Sequence, residues 1–246
     1  MTGAAVLAAL GLVVFCAGSV LAGEPFETDT ITTSAGNLEI TFIGHASLML
    51  RFGRTVIHVD PFDQLADYGQ LPKADMVILT HEHRDHLSPG ALKKVRTEKT
   101  VVVLTRLCAG QGGGGTVMKN GDVLTIMGIR IEAVPAYNLV HKRPDGAFYH
   151  PRGDGNGYVL TFGETRVYIA GDTENTPEMK ALKGIDYAFL PMNLPYTMTP
   201  EMVADGARAF KPKVLYPYHY GDSDTSRLVA LLKDTPEIEV RVRRMK

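Results

Sequence analysis

Thr80-His81-Glu82-His83-Arg84-Asp85-His86-Leu87 packs three histidines and an aspartate into six consecutive positions, directly after the apolar run Met76-Val77-Ile78-Leu79. That run has the length and aliphatic content of a buried strand, so the cluster lies where a strand empties into a loop. On extended backbone, residues two apart point to the same side, which lets His81 and His83 grip one ion together. Asp85 and His86 follow where the chain must turn, and can face a second ion. Histidines also decorate polar loops, but three imidazoles and a carboxylate this close have few uses other than metal binding.

Such ions need further ligands, and two more stretches supply candidates. Ile169-Ala170-Gly171-Asp172-Thr173 puts a carboxylate at a strand end, with Gly171 permitting a sharp turn. Tyr216-Pro217-Tyr218-His219-Tyr220 does the same with an imidazole. Taken alone, a strand-end aspartate is more often a cap or turn residue.

Around these points the chain alternates short strands and turns. Leu38–Ile43 and Ser47–Phe52 alternate by two, and Thr55–Val59 follows the turn Gly53-Arg54. Ser88 before Pro89 predicts a helix over 89–95, and Thr199 before Pro200 predicts another over 200–210. Further strands are expected at 101–105, 123–127, 129–134, 158–162, 166–170, 187–190 and 214–216, with helices at 177–182 and 225–232. Strands first, a helix, strands again, then helix and strand in alternation: that order fits an α/β sandwich of two sheets packed face to face with helices outside.

With 246 residues and 45% apolar content, the chain can build one large domain. A formal net charge of −1 and the lack of a basic tract argue against nucleic acid as a partner and leave a small-molecule substrate. Residues 4–22 carry no charge and end in Val20-Leu21-Ala22, a small-x-Ala pattern that suits signal peptidase. We read 1–22 as an export signal to the periplasm or beyond, and 23–246 as the single mature domain. A retained membrane anchor is the alternative, since no Lys or Arg precedes the run. After cleavage only Cys108 remains, so no intramolecular disulfide forms, and Cys108 reads as a packed small residue.

The ordered set Thr80-His81-x-His83-x-Asp85-His86, Gly171-Asp172-Thr173 and His219 closely resembles the metallo-β-lactamase superfamily. Gly44-His45-Ala46-Ser47 and His58-Val59-Asp60-Pro61-Phe62 resemble its branch with ascorbate-6-phosphate lactonase and the N-acyl-phosphatidylethanolamine phospholipase D-like hydrolases. The resemblance spans roughly 38–221 and implies a four-layer αββα sandwich of two mixed sheets, with two divalent metal ions at one edge. It assigns His81, His83 and a third histidine to one ion, Asp85, His86 and His219 to the other, and a bridging role to Asp172. Where the family shows the third histidine, this chain has Ala136-Tyr137-Asn138. His150, in His150-Pro151-Arg152-Gly153, is taken as the replacement, with His141 or Asn138 as alternatives; His141, between Val140 and Lys142-Arg143, reads more simply as an exposed loop residue. The resemblance also places His45 near the metals and makes Asp60 a carboxylate that orients a ligand, while Asn193, Tyr196 and Thr197, which follow a strand end, are candidates to line the pocket.

The resemblance thus implies a hydrolase in which a hydroxide shared by two zinc ions attacks a lactone or phosphodiester-type ester, with Asp85 accepting the proton. Manganese or iron are the other metals such donors take. A β-lactam hydrolase would present a cysteine in place of Asp172. A non-catalytic metal-binding scaffold is the remaining alternative, and Asn138 is the residue in its favour. Specificity is expected to reside in loops 107–120 and 138–157.

Overall fold

The structure, a computed structural model, describes residues 26–111 and 114–246; the expected export signal over 1–22 lies outside the described residues. Among the described residues, no helix is long and apolar enough to cross a membrane. One sheet runs in chain order through β1 (Glu27–Thr33), β2 (Gly36–Gly44), β3 (Ser47–Phe52), β4 (Thr55–Val59), β5 (Met76–Ile78), β6 (Val101–Leu104) and β7 (Thr116–Val117). The other holds β8 (Val123–Ile126), β9 (Ile129–Ala136), β10 (Gly155–Phe162), β11 (Thr165–Ile169), β12 (Tyr187–Pro191), β13 (Val214–Tyr218) and β14 (Glu239–Val240). Each sheet begins as an antiparallel meander of four strands and continues with parallel pairs, from β4 in one and β11 in the other.

Parallel neighbours require crossovers, and the helices supply most of them. Helix α1 (Pro89–Val95) joins β5 to β6, and α2 (Arg106–Gly110) joins β6 to β7. In the second sheet α3 (Pro177–Lys180), α4 (Pro200–Phe210) and α5 (Thr225–Leu232) serve the same purpose. Ser88 caps α1 by accepting from Ala91 N, and Thr199 caps α4 by accepting from Met202 N, each followed by a proline. Both caps sit where the sequence places them.

The layering comes from strands that are apolar on both faces. Met76 and Ile78 of β5 point between the sheets, where they join Leu50, Ile57, Ile131, Leu160, Ile169 and Phe189. Val77 and Leu79 point the other way and pack on Ala91, Leu92, Val95 and Cys108 of the helices. Leu215 of β13 likewise meets Val203, Phe210 and Leu228 outside the second sheet, while Tyr216 faces inward. Each such fully buried side chain contributes about 1.5–3 kcal/mol. This is the expected αββα sandwich.

Four elements escaped the sequence pattern: β1, α2, β7 and β14. Strand β1 is a threonine-rich stretch in which only Ile31 and Thr33 are buried, so it lacks an apolar face. The others are too short for periodicity to register. The 107–120 segment, one of the two expected to carry specificity, holds further structure. It includes most of α2 and all of β7, and its end lines a separate cavity of about 310 Å³. Gly115 is needed there because a Cβ would stand 2.4 Å from Val102 O. Cys108 is fully buried, as expected of a packed residue, and burial pushes its thiol up to about 11.

Candidate metal centre

Every residue of the HxHxDH loop leaves the C-terminal end of β5, at the same edge where the other parallel strands end. Asp60 follows β4, Asp172 follows β11, Asn193 follows β12 and His219 follows β13, while His45 forms the β2–β3 turn and His150 precedes β10. Gly171, at φ 64°, lies against Thr80 and redirects the chain to deliver Asp172. His45, Asp60 and His219 themselves hold left-handed φ of 51°, 42° and 45°, a conformation uncommon outside glycine. Backbone strain of this kind gathers at functional sites, where the surrounding structure must hold it in place.

Asp172 is the hub. Its carboxylate oxygens lie 3.3 Å from His150 Nε2, 3.4 Å from His86 Nε2, 3.5 Å from His219 Nε2 and 3.9 Å from His81 Nε2. These separations exceed ordinary hydrogen bonds. They match the edges of a coordination shell instead, because donors about 2.0–2.2 Å from one ion stand roughly 3.3–3.6 Å apart in a tetrahedron. The Nε2 atoms of His81, His86, His150 and His219, with Asp172 Oδ1, are buried and have no hydrogen-bond partner. Buried polar atoms are rarely left that way, and five in one place fit a bound cation. Donor atoms within 4.8 Å of one another fall into three overlapping groups: His81, His83 and His150; His81, His86 and Asp172; and His45, Asp85, His86 and His219.

Hydrogen bonds behind the centre decide which nitrogen each ring offers. Thr80 donates its N–H and its hydroxyl to the two oxygens of Asp60, at 2.8 and 2.6 Å. With its proton so committed, Thr80 Oγ1 can only accept from His81 Nδ1 at 3.1 Å, which leaves His81 Nε2 as the lone-pair nitrogen. His86 Nδ1 donates to Asp60 at 2.9 Å, which turns its Nε2 toward Asp172. Asp60 therefore orients two rings at once and also serves as the left-handed turn.

The segment that departs from the family pattern has its own arrangement. Asn138 lies behind His150: its Oδ1 accepts from His150 N at 2.7 Å and from the ring Nδ1 at 2.9 Å. His150 Nε2 thus points at Asp172. Asn138 Nδ2 in turn donates to Glu174, whose buried carboxylate also accepts from the N–H groups of Leu139, Val140 and His141 and from His141 Nδ1, all at 2.8–2.9 Å. His141 therefore faces Glu174 and belongs to none of the donor groups. Glu174 was missed in the sequence. Its only signal is a carboxylate two residues after Asp172.

Charges follow from this packing. Burial holds His81 and, less strongly, His83 below the usual histidine range, so both are neutral near pH 7. Burial also opposes charge on His86, but Asp172, Asp60 and Asp85 outweigh it and push the ring up to about 10. Burial alone would raise Asp85, yet the imidazoles of His219 and His45 hold its carboxyl far below the carboxylate range. His45 Nε2 stands 3.0 Å from Asp85 Oδ2, and its ring lies 3.7 Å from that of His219. The amide of Asn193 sits 3.3 Å from His219 Nδ1, and Thr197 lies buried beneath, accepting from Asn193 N. In front opens a cavity of about 440 Å³, with Tyr196, Tyr149, Arg84 and Arg143 among its walls.

Comparison with known proteins identifies the family. The family model described as "Beta-lactamase superfamily domain" matches residues 39–219. A UPF0173 metal-dependent hydrolase of Methanopyrus kandleri is 30% identical over 195 residues, covering 75% of this chain and 84% of the relative. A crystal structure from Parabacteroides distasonis, described as that of a metal-dependent hydrolase, is 50% identical with a TM-score of 0.86 over 90% of this chain and all of that one. The metallo hydrolase Igni18 of Ignicoccus hospitalis, at 24% identity, shares the fold with a TM-score of 0.68, covering 83% of this chain and 94% of its own. The chain is a member of the metallo-β-lactamase superfamily.

Proposed function

We propose that the chain is an exported metal-dependent hydrolase that holds two divalent ions and cleaves a small-molecule lactone or phosphodiester-type ester. The observation that carries this reading is the set of buried, unpartnered donor atoms converging beside an open cavity of about 440 Å³. His81, His83 and His150 would hold one ion, and Asp85, His86 and His219 the other, with Asp172 between them. Mixed imidazole and carboxylate donors suit zinc best, with manganese or iron as the other metals of this class. Divalent ions bound there supply Lewis acidity, lowering the pKa of water toward neutrality and drawing charge from an ester oxygen.

The protein's own part is to orient and to accept protons. Asp85 stays ionised, its side chain is 37% exposed toward the cavity, and His45 fixes one of its oxygens. It is placed to align a water and take up its proton. Asp172 remains charged at the hub, because the surrounding imidazoles outweigh its burial. The apolar stretch 4–22 supports export, and its retention would tether the domain to a membrane.

Asn138 was the residue in favour of a non-catalytic scaffold. Its hydrogen bond from His150 gives it a use within an intact centre. Asp172, a carboxylate where a β-lactam hydrolase would present a thiol, weighs against that activity. The test is metal analysis with assays on δ-valerolactone and bis(p-nitrophenyl) phosphate. About two bound ions per chain with turnover of either compound supports the reading. One ion or none, without turnover at any metal loading, contradicts it.

A further inference from the structure

We propose that Arg84 and Arg143 form an anion subsite that selects esters carrying a carboxylate or phosphate; this rests on the hydrolase reading of the cavity. Both arginines line the cavity that holds Asp85, Asp172, His83, His150 and His219. Among the described residues neither is paired with a carboxylate, whereas Arg152, Arg166, Arg227 and Arg243 each are. The two carboxylates in the cavity wall are already committed, Asp85 to His45 and Asp172 to the converging imidazoles. Arg84 sits between two donor residues, His83 and Asp85, so its position in the chain is fixed by the centre itself.

Arg143 is held by a small finger. Lys142 and Phe148 bridge antiparallel, Arg143 N donates to Ala147 O at 2.7 Å, and Gly146 N donates back to Arg143 O at 2.9 Å. The finger's base is tied to the residues that set His150: Val140 and His141 donate to Glu174, and Asn138 N donates to His150 O. At its far side the Arg143 guanidinium lies 5.1 Å over the Tyr149 ring and donates to Tyr149 O at 3.2 Å. A guanidinium has five donors in a planar fork, so most of the fork remains available to an anion. Tyr149 also meets Tyr196 edge-on at 5.0 Å, and both line the cavity. Such a wall accepts a flat apolar body beside the charged group.

Discrimination between paired compounds tests this. The metal-loaded full chain is assayed on δ-valerolactone and on the same ring bearing a carboxylate, and titrated calorimetrically with butyrate and glutarate. The wild type should favour the carboxylate-bearing lactone in kcat/KM, and glutarate in affinity, by about tenfold or more. R84Q/R143Q should bring each pair within about twofold, mainly through KM, while Arg143→Lys retains part of the preference. Lack of any preference in the wild type, or its persistence in R84Q/R143Q, overturns the proposal. Failure to turn over either lactone with glutarate still preferred refutes the hydrolase reading and supports the subsite.

Discussion

The two donor groups meet at Asp172 but are held by different means. His219 leaves a strand end and His86 the loop after β5, with Asp60 braced beneath His86 and the His45 ring tilted 3.7 Å from that of His219. His150 arrives on a loop between strands, and its aim depends on Asn138, which in turn depends on Glu174. Within the second group His86 and His219 are braced by Asp60 and Asn193 beside strand ends, whereas His150 of the first is aimed by a buried polar network on a loop. Polar networks of this kind specify geometry only when every member is satisfied. Glu174, with five donors on one carboxylate, shows that condition being met.

Asp172→Ala cuts what the groups share and should have the largest effect. Metal content should fall from about two ions to one or fewer per chain, and turnover by at least about 10³-fold. Retention of both ions would mean that the groups are independent. His150→Ala should lower occupancy of the first group alone, while His141→Ala, which removes only a contact to Glu174, should leave metal content nearly unchanged. Mass-spectrometric metal analysis of both variants checks this, and equal losses would erase the distinction between ligand and loop.

A matched pair of substitutions probes the supports. Asn138→Ala should weaken the first ion alone by about 10–100-fold, whereas Asp60→Ala, which removes the brace on His86 directly and on His81 through Thr80, should weaken both by a similar factor. They should differ in stability. Asp60→Ala strands Thr80 N, Thr80 Oγ1 and His86 Nδ1 in the interior, at about 1–3 kcal/mol for each unsatisfied group. Its melting temperature should therefore drop by roughly 5 °C or more, against less for Asn138→Ala.

The pH dependence of binding discriminates further. An ion and a proton compete for His86 Nε2, and the carboxylates around that ring hold its proton up to about 10. Affinity for the second ion should fall about tenfold per unit as pH drops from about 8.5 to 6.5, with release of about one proton on binding. His81 and His83 are already neutral there, so neither takes part in such a release at the first group. Calorimetry in buffers of different ionisation enthalpy reads both quantities.

The difference between the groups also explains what the sequence could reveal. His81, His83, Asp85 and His86 fall within one loop, and Asp172 and His219 each end an apolar strand, so short-range pattern exposed them. The sandwich was legible because its central strands are apolar on both faces and helices α1 and α4 are capped by Ser88 and Thr199. His150 was reachable only through the family resemblance, as one of several candidates. Glu174 and the contact of His45 with His219 depend on contacts between distant segments, which no local periodicity encodes. Arg84 and Arg143 read as ordinary charged loop residues until the cavity brings them together.

The central claim is that one edge of the sandwich holds two ions in two differently built groups joined by Asp172. Anomalous diffraction at the zinc edge, on crystals of the zinc-loaded protein, tests it most directly. Two peaks are predicted, one among His81, His83 and His150 and one among Asp85, His86 and His219, with Asp172 reaching both. A single peak, or a second peak away from Asp85 and His86, would contradict it.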